Sequence, residues 1–376
     1  MGKSRGTFCG GVFFLVLSSI LAAAWTTKRL TVKAGDSTTP AVATSWPNVY
    51  VVWSDDTPGN KEIYFKKSID GGSTWQTAKR LTNNSDDSVL PDITVVGSNI
   101  YVVWNDYTPG NEGILFKKST DKGGTWGNVV KLSDSSGGYS PRIARGGSTL
   151  YVVWCARFPT TAEIFFRQSA DGGATWQPLK RLTYNAGDSY WPVVASDGVG
   201  NIYVVWEDDT AVSGCDDVFI KKSTDGGATW QANKKLWTGH SNHSRPAIVI
   251  SDADVYVAWD DYGDIYMKKS SDNGSSWGKA RKLTNNYGNS EFPSLAAYEA
   301  NVFAVWHDDA PGNCEIFFRQ SSDNGATWGA AEKLTANSGA SYCPRIKFAF
   351  SGLRKYVTWY DNTPGNYEVY FGYSPL

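Results

Sequence analysis

Ser68-Ile69-Asp70-Gly71-Gly72-Ser73-Thr74-Trp75 decides the fold, because its pattern, Ser-x-Asp-x-Gly-x-Thr/Ser-Trp, recurs along the chain. The other copies are Ser119 to Trp126, Ser169 to Trp176, Ser223 to Trp230, Ser270 to Trp277 and Ser321 to Trp328. Working outward, an apolar-aromatic run such as Ile63-Tyr64-Phe65 precedes each copy, and a Lys-Leu-Thr-like segment follows it. Further upstream stand a Tyr-Val-Val-Trp-like segment and an apolar segment opened by Pro. The Pro recurs as Pro40, Pro91, Pro141, Pro192, Pro246, Pro293 and Pro344, and the Trp as Trp53, Trp104, Trp154, Trp206, Trp259, Trp306 and Trp359. One unit of about 50 residues is therefore repeated seven times.

Each unit holds four short runs rich in β-branched and aromatic residues, bounded by Gly, Pro, Asn and Asp, which is the signature of strands. Composition agrees: 17 Trp, 20 Tyr and 38 Gly against 2 Met favour strands and turns over helices. Four strands per repeat of this length predict one propeller blade, in which both sheet faces are buried against neighbours around a channel. The expected fold is all-β, a seven-bladed β-propeller of four-stranded blades.

The six turns are Asp boxes, and the chain resembles the sialidase-like superfamily of Asp-box propellers over almost all of residues 25 to 376. In such a turn the Ser and Asp side chains bond backbone N–H groups, and Gly supplies a positive φ. Asp70, Asp121, Asp171, Asp225, Asp272 and Asp323 are accordingly read as structural.

The beginning and end of the chain fit one blade. Trp25 to Thr31 reads as a last strand, and the C-terminus stops at Ser374-Pro375-Leu376, where a seventh Asp box would start. An N-terminal strand completing the last blade removes the exposed edges of an open arc. Before it, Lys3 and Arg5 precede an apolar core, and Ala22-Ala23-Ala24 offers a small-residue cleavage site. Residues 1–24 are read as a signal peptide and 25–376 as one propeller domain of a secreted or cell-surface protein. An uncleaved anchor is the alternative.

An exported chain permits disulfides. With Cys9 in the leader, the repeat map expects Cys155 to pair with Cys215 and Cys314 with Cys343, each pair tying neighbouring blades. Lys plus Arg number 36 against 37 Asp plus Glu. That balance gives no field for nucleic acid or an anionic membrane.

Loops alternate between two faces, and the Asp boxes all fall on the lower one. On the upper face an Asp stands two residues after six of the seven Trp residues, Asp208 among them. Blade three breaks the pattern with Cys155-Ala156-Arg157. Departures from a repeat are informative, so Arg157, together with Arg142, Arg245 and Arg345 beside the strand-opening Pro residues, is a candidate carboxylate clamp. Each could equally pair with a turn Asp. Tyr139, Tyr190, Trp191, Phe292 and Tyr342 precede the same Pro residues and either stack on sugars or fill the channel mouth. His240 and His243 have no third ligand at metal spacing, and neither a metal nor a cofactor is expected.

The resemblance implies, for the superfamily's enzymes, six blades, three Arg on a sialic-acid carboxylate, a Tyr helped by Glu, and an acidic Asp. This chain lacks an Arg-Ile-Pro signature ahead of its first Asp box, where Thr38-Thr39-Pro40 stands instead. Near-identical blades also speak against one asymmetric catalytic pocket. The leading expectation is a binding module for a glycan or an extracellular protein. A sialidase or other glycoside hydrolase is the first alternative, and a structural surface protein that packs on its own copies is the second. Oligomeric state is left open.

Overall fold

The computed structural model describes residues 24–134, 136–212, 215–239 and 244–376, including all their side chains except those of residues 211, 212, 215 and 350. Residues 1–23, which carry nearly all of the expected signal peptide, lie outside the described residues, as do His240 and His243.

Seven antiparallel four-stranded sheets form a seven-bladed propeller. In blade 1 the strands are Ser37–Ser45, Asn48–Asp55, Glu62–Ser68 and Lys79–Arg80, here called a to d from the channel outward. Blade 7 takes strands a to c from Ser341–Ala349, Arg354–Asp361 and Glu368–Pro375. Its fourth strand is Thr26–Arg29, with Thr26 opposite Tyr373 and Arg29 opposite Tyr370. The ring is closed by the N-terminal strand.

Continuous apolar b strands make the core. Trp53, Trp104, Trp154, Trp206, Trp259, Trp306 and Trp359 are all buried, and each of the seven apolar clusters spans two adjacent blades. A blade so placed has no solvated face, which is why its strands do not alternate apolar with polar residues. Asp-box Trp residues seal the seams edge-on: Trp126 lies 5.2 Å from Phe65 and Trp75 lies 4.9 Å from Phe371, ring centroid to centroid.

Each Asp box closes on itself. Ser68 Oγ donates to Asp70 Oδ1 (2.7 Å) and accepts from Gly72 N (2.8 Å), while Thr74 donates to the same carboxylate through N (2.8 Å) and Oγ1 (2.5 Å). The Thr74 bonds come first in holding the Asp70 carboxyl down to about 2. Gly72 has φ +89°, and a Cβ there would stand 2.5 Å from the Phe371 ring. Only Gly fits that seam.

A second recurring device shapes the channel mouth. The residue before the Pro is left-handed in six blades: Thr39, Leu90, Ser140, Trp191, Phe292 and Cys343 have φ between +48° and +55°. Registers slip there by one residue, as between Thr38 and Ala41. This is a β-bulge, and Pro is tolerated in it because the ladder is already interrupted. Blade 5 lacks it, and in the other six blades the bulge lies at the upper end of strand a, among the two residues ahead of the Pro.

Candidate functional site

The Asp two residues beyond each b-strand Trp belongs to the scaffold. Asp55 Oδ2 accepts from Ser37 Oγ (2.7 Å) and Trp53 Nε1 (3.3 Å), and Oδ1 accepts from Thr57 N (3.1 Å). Asp208 makes the same three bonds with Ser189, Trp206 and Thr210, so it acts as a turn anchor like its counterparts. In blade 3 Ala156 replaces this Asp; Trp154 Nε1 has no partner among the described residues, as is also true of Trp259 and Trp359 in blades that keep the Asp.

Between that invariant Trp and that recurrent Asp lies one position that differs in every blade: Ser54, Asn105, Cys155, Glu207, Asp260, His307 and Tyr360. Six of the seven are buried, and Tyr360 is half-buried. Across the ladder stand Thr38, Val89, Tyr139, Tyr190, Glu291 and Tyr342, each two residues ahead of its Pro. These positions surround the upper mouth. Blades 1 and 2 give it Ser, Thr, Val and Asn, whereas blades 4 to 7 give it acids, Arg245, His307 and aromatic rings. The mouth is thus asymmetric on a repetitive ring, which corrects the inference drawn from near-identical blades.

Arg245 is the hub of the polar side. Its Nη1 donates to Glu291 Oε2 (2.7 Å) and lies 3.8 Å from Asp260 Oδ2, and its guanidinium covers the Phe292 ring at 3.9 Å. Trp191 meets Phe292 edge-on at 6.4 Å. His307 lies between Phe292 (5.3 Å) and Tyr342 (5.4 Å), centroid to centroid.

Burial dominates the protonation of this cluster. It pushes the Asp260 carboxyl up to about 8 against the opposing pull of Arg245, and the Glu207 carboxyl up to about 8, with the Asp216 charge adding to the same shift. Asp216 itself is raised to about 7, first by burial and then by Asp209 and Asp208. Burial lowers His307 to about 4 despite Glu291 nearby. Near neutral pH burial therefore favours the protonated acids and the neutral imidazole, beside the Arg245–Glu291 contact.

The other sequence-derived candidates fall into separate places. Arg142 and Arg345 lie deeper, along the channel wall beside Asp92. Both still act electrostatically on Cys343, as Arg245 does. Arg157 is elsewhere, exposed on the rim, with Nη1 donating to Thr160 O (2.5 Å) and Nη2 3.9 Å from Asp188 Oδ2. Tyr190, a mouth position opposite Glu207, reaches out to this rim by donating to Asp188 Oδ2 (2.7 Å). Tyr342 neighbours Tyr360 and Tyr367. Three of the four arginines thus gather around the channel, and Arg157 does not.

The expected disulfides are not formed, since Cys155, Cys314 and Cys343 are free thiols. The side chain of Cys215 lies outside the described residues. The Cys155 side chain turns into the core between blades 3 and 4, its Sγ donating to Tyr139 O (3.4 Å). Cys314 hydrogen-bonds Tyr342, while Cys343, the next residue along a pleated strand, has its Sγ 3.7 Å from Tyr360 Oη. Each thiol is thus engaged with a different Tyr, and the two are not joined. Among the described residues no group of three His, Cys, Asp or Glu is placed to hold a metal, and no helix is long and apolar enough to cross a membrane.

No protein-family model matches the chain, and no curated protein does. Solved structures do. An endosialidase of phage phi92 superposes with a TM-score of 0.57 at 10% identity, over 94% of this chain and 69% of that one. The chain shares the fold of sialidases. A Hadza microbial sialidase gives a TM-score of 0.53 at 16% identity, over 87% of this chain and 77% of its own. The Trypanosoma rangeli sialidase, in complex with the inhibitor DANA, gives 0.51 at 14%, over 94% and 60%. At such identities the likeness concerns architecture, and function has to be argued from the mouth. Sequence reasoning missed Glu207, Asp260, Glu291 and His307 as a group. For Glu207, Asp260 and His307 the signal was present as a single repeat column that varies between two recurrent residues, and Glu291 stands in the facing column, two residues ahead of its Pro.

Proposed function

We propose that the protein is an exported glycan-binding propeller whose upper channel mouth takes one sugar chain. The observation that carries this reading is the asymmetric mouth, where the Arg245–Glu291 pair stands among the rings of Trp191, Phe292 and Tyr342. A sugar hydroxyl both donates and accepts, so a carboxylate beside a guanidinium suits it on both counts. Aromatic rings suit the apolar faces of pyranoses. Fold likeness to sialidases supports a carbohydrate ligand without choosing one.

The mature chain, residues 25–376, is expected to bind a subset of a broad glycan array. Phe292→Ala and Arg245→Met should each weaken that binding by about five- to thirtyfold, equivalent to ~1–2 kcal/mol. Arg157→Ala should leave it unchanged. Binding lost in Arg157→Ala but retained in the other two would place the ligand on the rim and sink the proposal.

A hydrolase is the second reading, favoured by one observation: Asp260 and Glu207 are acids pushed up to about 8. A carboxyl kept protonated near neutral pH is what a general acid needs. Release of a fluorescent leaving group from a sialoside, abolished in Asp260→Asn, would replace binding by turnover as the function.

A further inference from the structure

Below the mouth, a cavity of about 100 Å³ lies on the ring axis. The residue following the strand-opening Pro in all seven blades lines it, among them Asp92, Arg142, Ser294 and Arg345, and Lys347 joins them from blade 7. Roughly 10–15 Å³ holds one water, so the space admits a larger guest. Much of its remaining wall is apolar, from Val42, Ile143, Val194, Ile248 and Leu295.

Charge in this cavity does not balance. Asp92 is the one acid in its lining, and both its oxygens are engaged by backbone amides, Oδ1 by Ile93 N (3.0 Å) and Oδ2 by Ile143 N of the next blade (2.9 Å). Arg142 bonds only the carbonyl of Pro141 (3.1 Å), and neither Arg345 nor Lys347 has a hydrogen-bond or ion-pair partner among the described residues. Burial, followed by repulsion from Arg345, brings the Arg142 guanidinium down to about 10. Arg142 and Arg345 are half-buried and Lys347 is exposed to the channel; like charges lining one narrow channel repel, and a bound anion removes that repulsion. Arg142 approaches from blade 3 and Arg345 and Lys347 from blade 7, so their donors converge from more than one direction. That arrangement matches several oxygens around one centre better than the two coplanar oxygens of a carboxylate.

We propose that the axial channel binds one small tetrahedral oxyanion, of the phosphate or sulfate class, between Arg142, Arg345 and Lys347. This site lies below the glycan mouth and does not depend on that reading.

Calorimetric titration of inorganic phosphate into the mature chain in chloride buffer tests it. One saturable site is expected, weakened at least about tenfold in Arg345→Met and in Lys347→Met, since charge-assisted bonds are lost, and unchanged in Arg157→Met. Acetate should bind at least about tenfold more weakly than phosphate. A second measurement separates binding from a merely structural role. Without phosphate, Lys347→Met should unfold at a higher temperature than the parent, because repulsion is relieved, and in saturating phosphate that order should reverse. No saturable heat up to about 10 mM phosphate, binding undiminished in Lys347→Met, or acetate binding as tightly as phosphate would each overturn the proposal.

Discussion

Replacing Glu207 by Gln deletes one titration from the buried acids of the mouth while keeping its shape. Glu207 Oε2 accepts from Ser244 N at 2.8 Å, and an amide oxygen can accept there too. The folded-state pKa, about 8, lies above the ordinary 4.5. Between those values the native protein carries a proton that the unfolded chain has released. The stability contributed by this group is therefore complete below about 4.5 and is lost as pH rises through 8, at a limiting slope of ~1.4 kcal/mol per pH unit. The Gln variant lacks that slope, so its stability relative to the parent grows by about 2–3 kcal/mol from pH 5.5 to pH 7.5. With a denaturant dependence of about 3 kcal/mol/M, the gap between the urea midpoints widens by roughly 1 M over that range. Urea unfolding followed by Trp fluorescence at the two pH values reads it directly. A gap that is the same at both would show that Glu207 is ionised in the folded state, and the picture of a protonated mouth would fail.

Three further outcomes follow from the scaffold. Gly72→Ala places a Cβ 2.5 Å from Phe371 at φ +89°, and urea unfolding should show a loss of about 2 kcal/mol or more. A chain starting at Lys33 lacks the closing strand and exposes the outer edge of Glu368–Pro375; size-exclusion chromatography should find oligomers or aggregate in place of a monodisperse ring. Alkylation under native conditions at pH 8 should spare Cys155 and modify it only after unfolding, and non-reducing peptide maps should contain neither a 155–215 nor a 314–343 cross-link.

The ring could be read from sequence because each blade repeats the same physical solution. Pro at the bulge, Trp in the seam, Asp under the Trp and Gly against the neighbouring ring are all required by backbone geometry, so they recur and can be counted. The mouth was harder because its chemistry sits where the scaffold makes no demand. Ser54, Asn105, Cys155, Glu207, Asp260, His307 and Tyr360 share one backbone position, and only the strand pleat and its register with the bulged a strand show which side chains they face. Attention to arginines found Arg245 but grouped Arg157 with it, although the end of a b strand at the rim and the segment entering an a strand lie apart. Pairing the cysteines by blade adjacency failed for a related reason. Adjacency fixes which loops are neighbours, while the local backbone, a core-facing strand position at Cys155 and a bulge at Cys343, fixes where each Sγ points.

The velcro-like joint in blade 7 also sets a schedule. Thr26 cannot find Tyr373 until the seventh blade has been synthesised, so six blades must wait with a seam open. Joining the ends of so long a chain is a non-local step of the kind that slows folding. During that interval the nascent arc carries an unpaired edge at its growing end, although the strand that will cap it was made before any blade.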